Sequence, residues 1–145
     1  MSMNLNSKIP VAILGATGAV GQRFIQLLAD HPWFEIVALS GSDRSAGRPY
    51  AEACRWVLDS DPPSHIGEMI VVPPEPGLLG TIAFSALPTE IAREVEPQFA
   101  AAGYTVCSNA SAYRETPHIP LLIPELNADH LGMIAKQRAA RGWPG

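Results

Sequence analysis

The chain has 145 residues, 47% of them hydrophobic and 17% charged, with a formal net charge of −4. That balance excludes a disordered polyelectrolyte and argues against nucleic acid or an anionic membrane surface as a partner. Its 12 glycines and 14 prolines are interspersed with apolar runs, which points to many turns within one domain covering 1–145.

Ile9 to Leu14 is a short apolar run without alternation, the pattern of a strand buried on both faces of a parallel sheet. It leads into Gly15-Ala16-Thr17-Gly18-Ala19-Val20-Gly21. From Ala19 the period changes: Val20, Phe24, Leu27 and Leu28 fall on one helical face, and Pro32 ends the helix near Asp30. Phe34 to Leu39 is a second strand, followed by a polar loop from Ser40 to Pro49. Tyr50 to Leu58 is expected to hold a short helix and Asp61-Pro62-Pro63 a turn. Met69 to Val72 is a third strand and Thr81 to Ala86 a fourth. Thr89 is expected to cap a helix carrying Ile91, Val95 and Phe99, with Pro97 kinking or splitting it and Gly103 stopping it. Tyr104 to Cys107 is a fifth strand. Pro120 to Ile123 is a brief apolar run, Ala128 to Ala140 is helical, and Arg141 to Gly145 is a turn sequence. Strands alternating with helices predict an α/β fold of Rossmann type: a doubly wound, mainly parallel sheet with helices on both faces.

No apolar stretch approaches the roughly 20 residues needed to span a bilayer. Met1 to Ser7 lacks the basic and apolar regions of a secretory signal. Cys54 and Cys107 form neither a CxxC pair nor a disulfide framework, so a reducing cytoplasm is expected. His31, His65, His118 and His130 have no i, i+4 pairing and no neighbouring cysteine, so no metal site is expected.

The glycine spacing gives each glycine a task. Gly15 permits the tight turn, Gly18 lets a pyrophosphate approach the backbone, and Gly21 lets the helix lie close to the strand. The helix N-terminus, opening at Ala19 and Val20, offers free amides and a partial positive charge to phosphate. A phosphate-binding loop of the Lys-Ser/Thr type is excluded, because Gln22 and Arg23 follow Gly21. An NAD-preferring domain usually places an acid at the end of the second strand. Here that position is Ser40, followed by Gly41 and Ser42, with Arg44 and Ser45 just beyond. Hydroxyls and a guanidinium suit the 2′-phosphate of NADP; Asp43 in the same loop works against that choice.

Five segments in order resemble aspartate-semialdehyde dehydrogenase, in particular its archaeal and fungal-type branch. They are Gly15 to Phe24, Ser42 to Gly47, Phe84-Ser85-Ala86-Leu87-Pro88, Ser108-Asn109-Ala110-Ser111-Ala112-Tyr113-Arg114, and Pro120 to Asn127. The resemblance implies oxidation of aspartate 4-semialdehyde with phosphate and NADP to aspartyl 4-phosphate, or the reverse, in amino-acid synthesis. It implies a cysteine nucleophile and a histidine acid/base. By position it places Thr17, Ser85, Leu87, Asn109 and Asn127 at the cofactor and Arg114 on the attacking phosphate, where a guanidinium fork can bond two oxygens.

In that family the nucleophile lies in an Asn-Cys segment beyond a stretch like Arg141 to Gly145. This chain alone is therefore expected to lack the nucleophile, the histidine and the dimerisation domain, to contain no catalytic residue, and to be inactive. Trp143 and the apolar side of 128–140 are expected to be exposed. Cys107 and Cys54 read as small structural residues. Malonyl-CoA reductase and N-acetylglutamyl-phosphate reductase share this chemistry; Arg44 and Tyr113-Arg114 favour the semialdehyde or malonyl-CoA branch. A short-chain dehydrogenase is disfavoured, because no tyrosine is followed by lysine four places on. A free-standing NADP-binding module is the non-enzyme alternative.

Overall fold

The computed structural model describes residues 7–145; the N-terminal segment read above lies, up to residue 6, outside the described residues. Strands β1 (Ile9–Leu14), β2 (Phe34–Ser40), β3 (Val71–Val72), β4 (Ile82–Ser85) and β5 (Thr105–Ser108) form one sheet in the order β3-β2-β1-β4-β5. Every pairing is parallel. The chain winds outward from β1 through β2 to β3, then returns to the other side of β1 for β4 and β5. The reversal opens a crevice at the carboxyl ends of β1 and β4, where α/β sheets take ligands. Val11 to Leu14 are all 0% exposed, as a central parallel strand requires.

Helices cover both faces. Helix α1 (Ala19–Leu28) lays Ile25 and Leu28 on Val11, Ile13, Ile36 and Leu39. Helix α4 (Thr89–Ala101) lays Ala92 and Phe99 on the other face, against Leu14 and Ala83. The two short helices between them are α2 (Tyr50–Ala53) and α3 (Ser64–Gly67). After β5 come α5 (Pro124–Asn127), a 3-10 turn (Ala128–Gly132) and α6 (Met133–Arg141).

The short helix expected within 50–58 is α2, which ends at Ala53 because Cys54 turns to extended backbone, freeing the 54–57 segment for other bonds. Several other expectations need correction. Helix α3 is short, and the alternation-free stretch around it gave no periodic signal. Thr89 is the first residue of α4 and not its cap; Pro88 holds that position. Pro97 neither splits nor stops α4, which runs on to Ala101. The helical stretch 128–140 divides into the 3-10 turn, which ends at Gly132, and α6, which starts at Met133. Trp143 is half-buried, its ring 5.1 Å below the Arg141 guanidinium, while Leu131 is exposed as expected.

Candidate cofactor site

The loop between β1 and α1 is set by two glycines that the chain itself demands. Gly15 has φ +75, and a Cβ there would lie 2.8 Å from the Ala86 carbonyl oxygen. A Cβ on Gly21 would lie 2.2 Å from the Gly15 carbonyl oxygen, so α1 can approach β1 only with glycine here. Gly18 is different. Its nearest neighbour would be 3.8 Å away, and its φ of −78 is open to any residue. The fold does not need glycine at this position; a ligand lying on the backbone would.

The polarity of the loop is one-sided. The Gly15 carbonyl accepts from the Gly18 amide at 3.3 Å, and the Gly18 carbonyl from the Gln22 amide at 2.9 Å. The Ala16 carbonyl accepts from the buried Tyr50 hydroxyl at 2.8 Å. The Thr17 carbonyl accepts from Gln22 Nε2 at 3.1 Å and from the Cys54 thiol at 3.6 Å. In contrast, the amides of Thr17, Ala19 and Val20 have no backbone partner among the described residues. No side chain caps α1 and no acid stands in its first turn. Carbonyls turned inward and amides left outward make a cradle for an anion.

Beside this loop lies a cleft of about 360 Å³ lined by Val20, Leu87, Thr89, Asn109, Ser111 and Arg114, among others. The structure thus brings together Val20, Leu87, Asn109 and Arg114, which the sequence placed at the site separately. A larger hollow of about 430 Å³ holds Lys8, Glu35 and His65. It lies at the amino ends of β1 and β2, away from the crevice, and gathers none of the expected residues.

The segment bearing Asn109 and Arg114 is fastened to one stripe of α4. Thr89 Oγ1 meets Ser111 Oγ at 3.1 Å, the Arg93 carbonyl accepts from the Tyr113 hydroxyl, and Glu96 accepts from Ser108 Oγ. Positions 89, 93 and 96 recur at helical spacing, so one face holds the segment. The Arg114 guanidinium donates to the Asn109 carbonyl at 2.9 Å while remaining exposed at the cleft. Gln22, Tyr50 and the α4 stripe carry no motif, and sequence reading missed them.

In the loop after β2, Ser42 and Arg44 are exposed, and no partner engages the Arg44 guanidinium among the described contacts. Ser45 is 5% exposed and its hydroxyl donates to the Ser42 carbonyl at 3.0 Å; it holds the loop's shape. Ser40 and Ser85, expected at the cofactor, are both 0% exposed with unpartnered hydroxyls. The residues before them, Leu39 and Phe84, pack on the α1 side, so strand alternation turns both serines into the opposite face. Asn127 is also absent from the cleft. Its amide accepts from the Ile123 amide at 2.6 Å and donates to the Leu121 carbonyl at 2.7 Å, closing a proline-flanked turn.

The model of the semialdehyde dehydrogenase NAD-binding domain matches residues 10–134. The chain belongs to that family. An aspartate-semialdehyde dehydrogenase of Archaeoglobus fulgidus is 51% identical over 136 residues, which is 93% of this chain and 40% of that protein. Malonyl CoA reductase (NADP) of Metallosphaera sedula is 40% identical over 139 residues, 94% of this chain and 39% of that one. The solved aspartate semialdehyde dehydrogenase with NADP from Candida albicans has a TM-score of 0.87 at 39% identity, over 96% of this chain and 41% of that one. The chain spans about two fifths of the length of these relatives.

The chain carries two thiols, Cys54 and Cys107, neither in a disulfide. Burial pushes the Cys54 thiol up, partly offset by hydrogen bonds from its neighbours. Cys107 is exposed as a residue, yet the protein packed around its sulfur still desolvates the thiol and pushes it up. A reactive thiol needs the opposite shift. No cluster of metal-ligating side chains occurs among the described residues. No helix there is long and apolar enough to cross a membrane.

Proposed function

We propose that this chain is the NADP-binding part of an aspartate-semialdehyde dehydrogenase. The reaction would be the phosphorylating oxidation of aspartate 4-semialdehyde, or the reverse reduction of aspartyl 4-phosphate. The observation that carries the reading is the one-sided polarity of the 15–21 loop, with Gly18 kept free of a side chain that the fold would tolerate. The amides of Thr17, Ala19 and Val20 would hold the pyrophosphate. Ser42 and Arg44 would bind the 2′-phosphate, against the opposing charge of Asp43. Leu87 and Asn109 would flank the nicotinamide end, and Arg114 would bind inorganic phosphate with a guanidinium held by Asn109. Bound NADP would supply the hydride acceptor. Neither Cys54 nor Cys107 would supply the nucleophile, so the chain by itself would not turn over.

A second reading, malonyl-CoA reduction, has one observation behind it: the Metallosphaera sedula relative matches the same stretch at 40% identity. Both readings use the same cofactor groove.

Titration of the chain with NADP and with NAD, followed by tryptophan fluorescence, tests the common core. Binding of NADP at least tenfold tighter than NAD is expected. Equal affinities would remove the 2′-phosphate role of Arg44, and no binding of either would remove the cofactor reading.

A further inference from the structure

We propose that Gln22 is the positioning residue of the phosphate loop, holding its carbonyls away from the anion and fixing it to the 54–57 segment. The proposal rests on the reading that the 15–21 loop takes a pyrophosphate. Gln22 sits on the first turns of α1, where a solvent-facing polar residue would be ordinary, yet it is 1% exposed. Burying a primary amide costs free energy unless its donors and acceptor are all used. Here they are. Nε2 donates to the Thr17 carbonyl at 3.1 Å and the Arg55 carbonyl at 3.0 Å, with Cys54 Sγ at 3.3 Å. Oε1 accepts from the Val57 amide at 2.8 Å.

The geometry has a direct electrostatic consequence. Thr17 lies between Ala16 and Gly18 at the mouth of the cradle, and the peptide that joins it to Gly18 could turn either the Thr17 carbonyl or the Gly18 amide toward an anion. A carbonyl turned outward would set a partial negative charge against a phosphate. Gln22 removes that option by taking the Thr17 carbonyl inward. The Tyr50 hydroxyl does the same for the preceding carbonyl, of Ala16, at 2.8 Å. Because the other end of the Gln22 amide is tied to Arg55 and Val57, the loop is braced on a segment far away in sequence. A hydrophobic residue at position 22 would fill the space and pack, but it would leave the Thr17 carbonyl held only by the longer contact from the Cys54 thiol at 3.6 Å.

The test separates pyrophosphate binding from binding at the 2′-phosphate loop. Wild-type chain and Gln22→Met are titrated with NADP and with adenosine 2′-monophosphate, which has no 5′-phosphate, and thermal melts check the fold. The variant should lose about tenfold in NADP affinity and keep its affinity for adenosine 2′-monophosphate. Equal NADP affinity in a folded Gln22→Met overturns the clamp, and so does a parallel loss for both ligands, which would mark a merely structural role. If the wild type itself fails to bind NADP, the cofactor reading fails and the clamp falls with it. Should Gln22→Met not fold, Gln22→Glu keeps the acceptor for Val57 and loses its donors once ionised. Its NADP affinity relative to wild type should recover as pH falls and the carboxyl regains a proton for Thr17. A ratio independent of pH overturns the proposal.

Discussion

The hydroxyl of Tyr113 donates to the main-chain carbonyl of Arg93, the acceptor that Pro97, four residues on in the same helix, leaves without an amide. A proline inside a helix removes one i to i−4 bond, and in α4 the vacancy is filled from outside. The partner comes from the segment that presents Arg114, so the gap in the helix becomes a fixing point for the cleft.

Tyr113→Phe should therefore cost stability and function together. Loss of this bond is expected to lower unfolding free energy by about 1 kcal/mol and to weaken inorganic phosphate binding at Arg114. Urea melts and a phosphate titration of the chain read the two effects. Unchanged phosphate affinity would mean that the Ser111 and Ser108 attachments hold the segment unaided.

Gly18→Ala and Gly21→Ala should separate ligand from fold. An alanine at 18 meets nothing closer than 3.8 Å, so the melting temperature should stay within a degree or two while NADP binding drops at least tenfold. An alanine at 21 meets the Gly15 oxygen at 2.2 Å and Ala16 Cα at 2.7 Å, both backbone atoms that cannot swing aside. A loss of roughly 1–3 kcal/mol is expected there from overpacking. A melt in which Gly18→Ala is the more damaged of the two would contradict the assignment.

Arg44→Ala should discriminate between cofactors. Loss of a charge-assisted bond to the 2′-phosphate is expected to weaken NADP by about 1–3 kcal/mol and to leave NAD unaffected. A competition titration against adenosine 2′-monophosphate measures this directly. If NAD weakens equally, Arg44 shapes the loop and does not read the phosphate.

Tyr50 supplies a pH dependence with a definite sign. Burial pushes its phenol well above the ordinary tyrosine value, with lesser contributions from Cys54. The folded chain thus keeps the proton after the unfolded chain has released it. Stability is fully present below the ordinary value of about 10 and declines as pH rises beyond it toward the folded value. The Cys54 thiol, also raised by burial, extends the decline to slightly lower pH. Tyr50→Phe should flatten the alkaline limb and, by orphaning the Ala16 carbonyl, cost about 1–3 kcal/mol near neutrality. Denaturant melts between pH 7 and 11 would show both effects; an unaltered alkaline slope would dissociate Tyr50 from it.

What could be read in the sequence was what is local. The change from an unbroken apolar run at Ile9–Leu14 to helical spacing after Ala19 marks β1 and α1, because each period reports its own backbone geometry. Val20 comes from the glycine-loop spacing and Asn109 and Arg114 from the family resemblance; that the three line one cleft follows from strand ends converging on one crevice. The burial of the Ser40 and Ser85 hydroxyls was not legible for a related reason: a strand end fixes where a residue stands, whereas the alternation decides which way it turns. Asn127 is placed at the cofactor by the family resemblance, and nothing in its neighbours shows that its amide also closes the turn between Pro120 and Pro124. The bonds from Gln22 to Val57 and from Tyr113 to Arg93 join residues 35 and 20 apart, and no spacing rule predicts such pairs.

Tyr50 ends in the anion loop at its hydroxyl and in the α1-side core at its ring, where it is 1% exposed beside Ile66 and Val71. A ligand that grips the loop amides therefore acts on the body of the domain through Tyr50 as well as through Gln22. Cofactor at a hundred times its dissociation constant would add about 2.7 kcal/mol to folding. In the cell, the supply of dinucleotide would then set how long the domain survives.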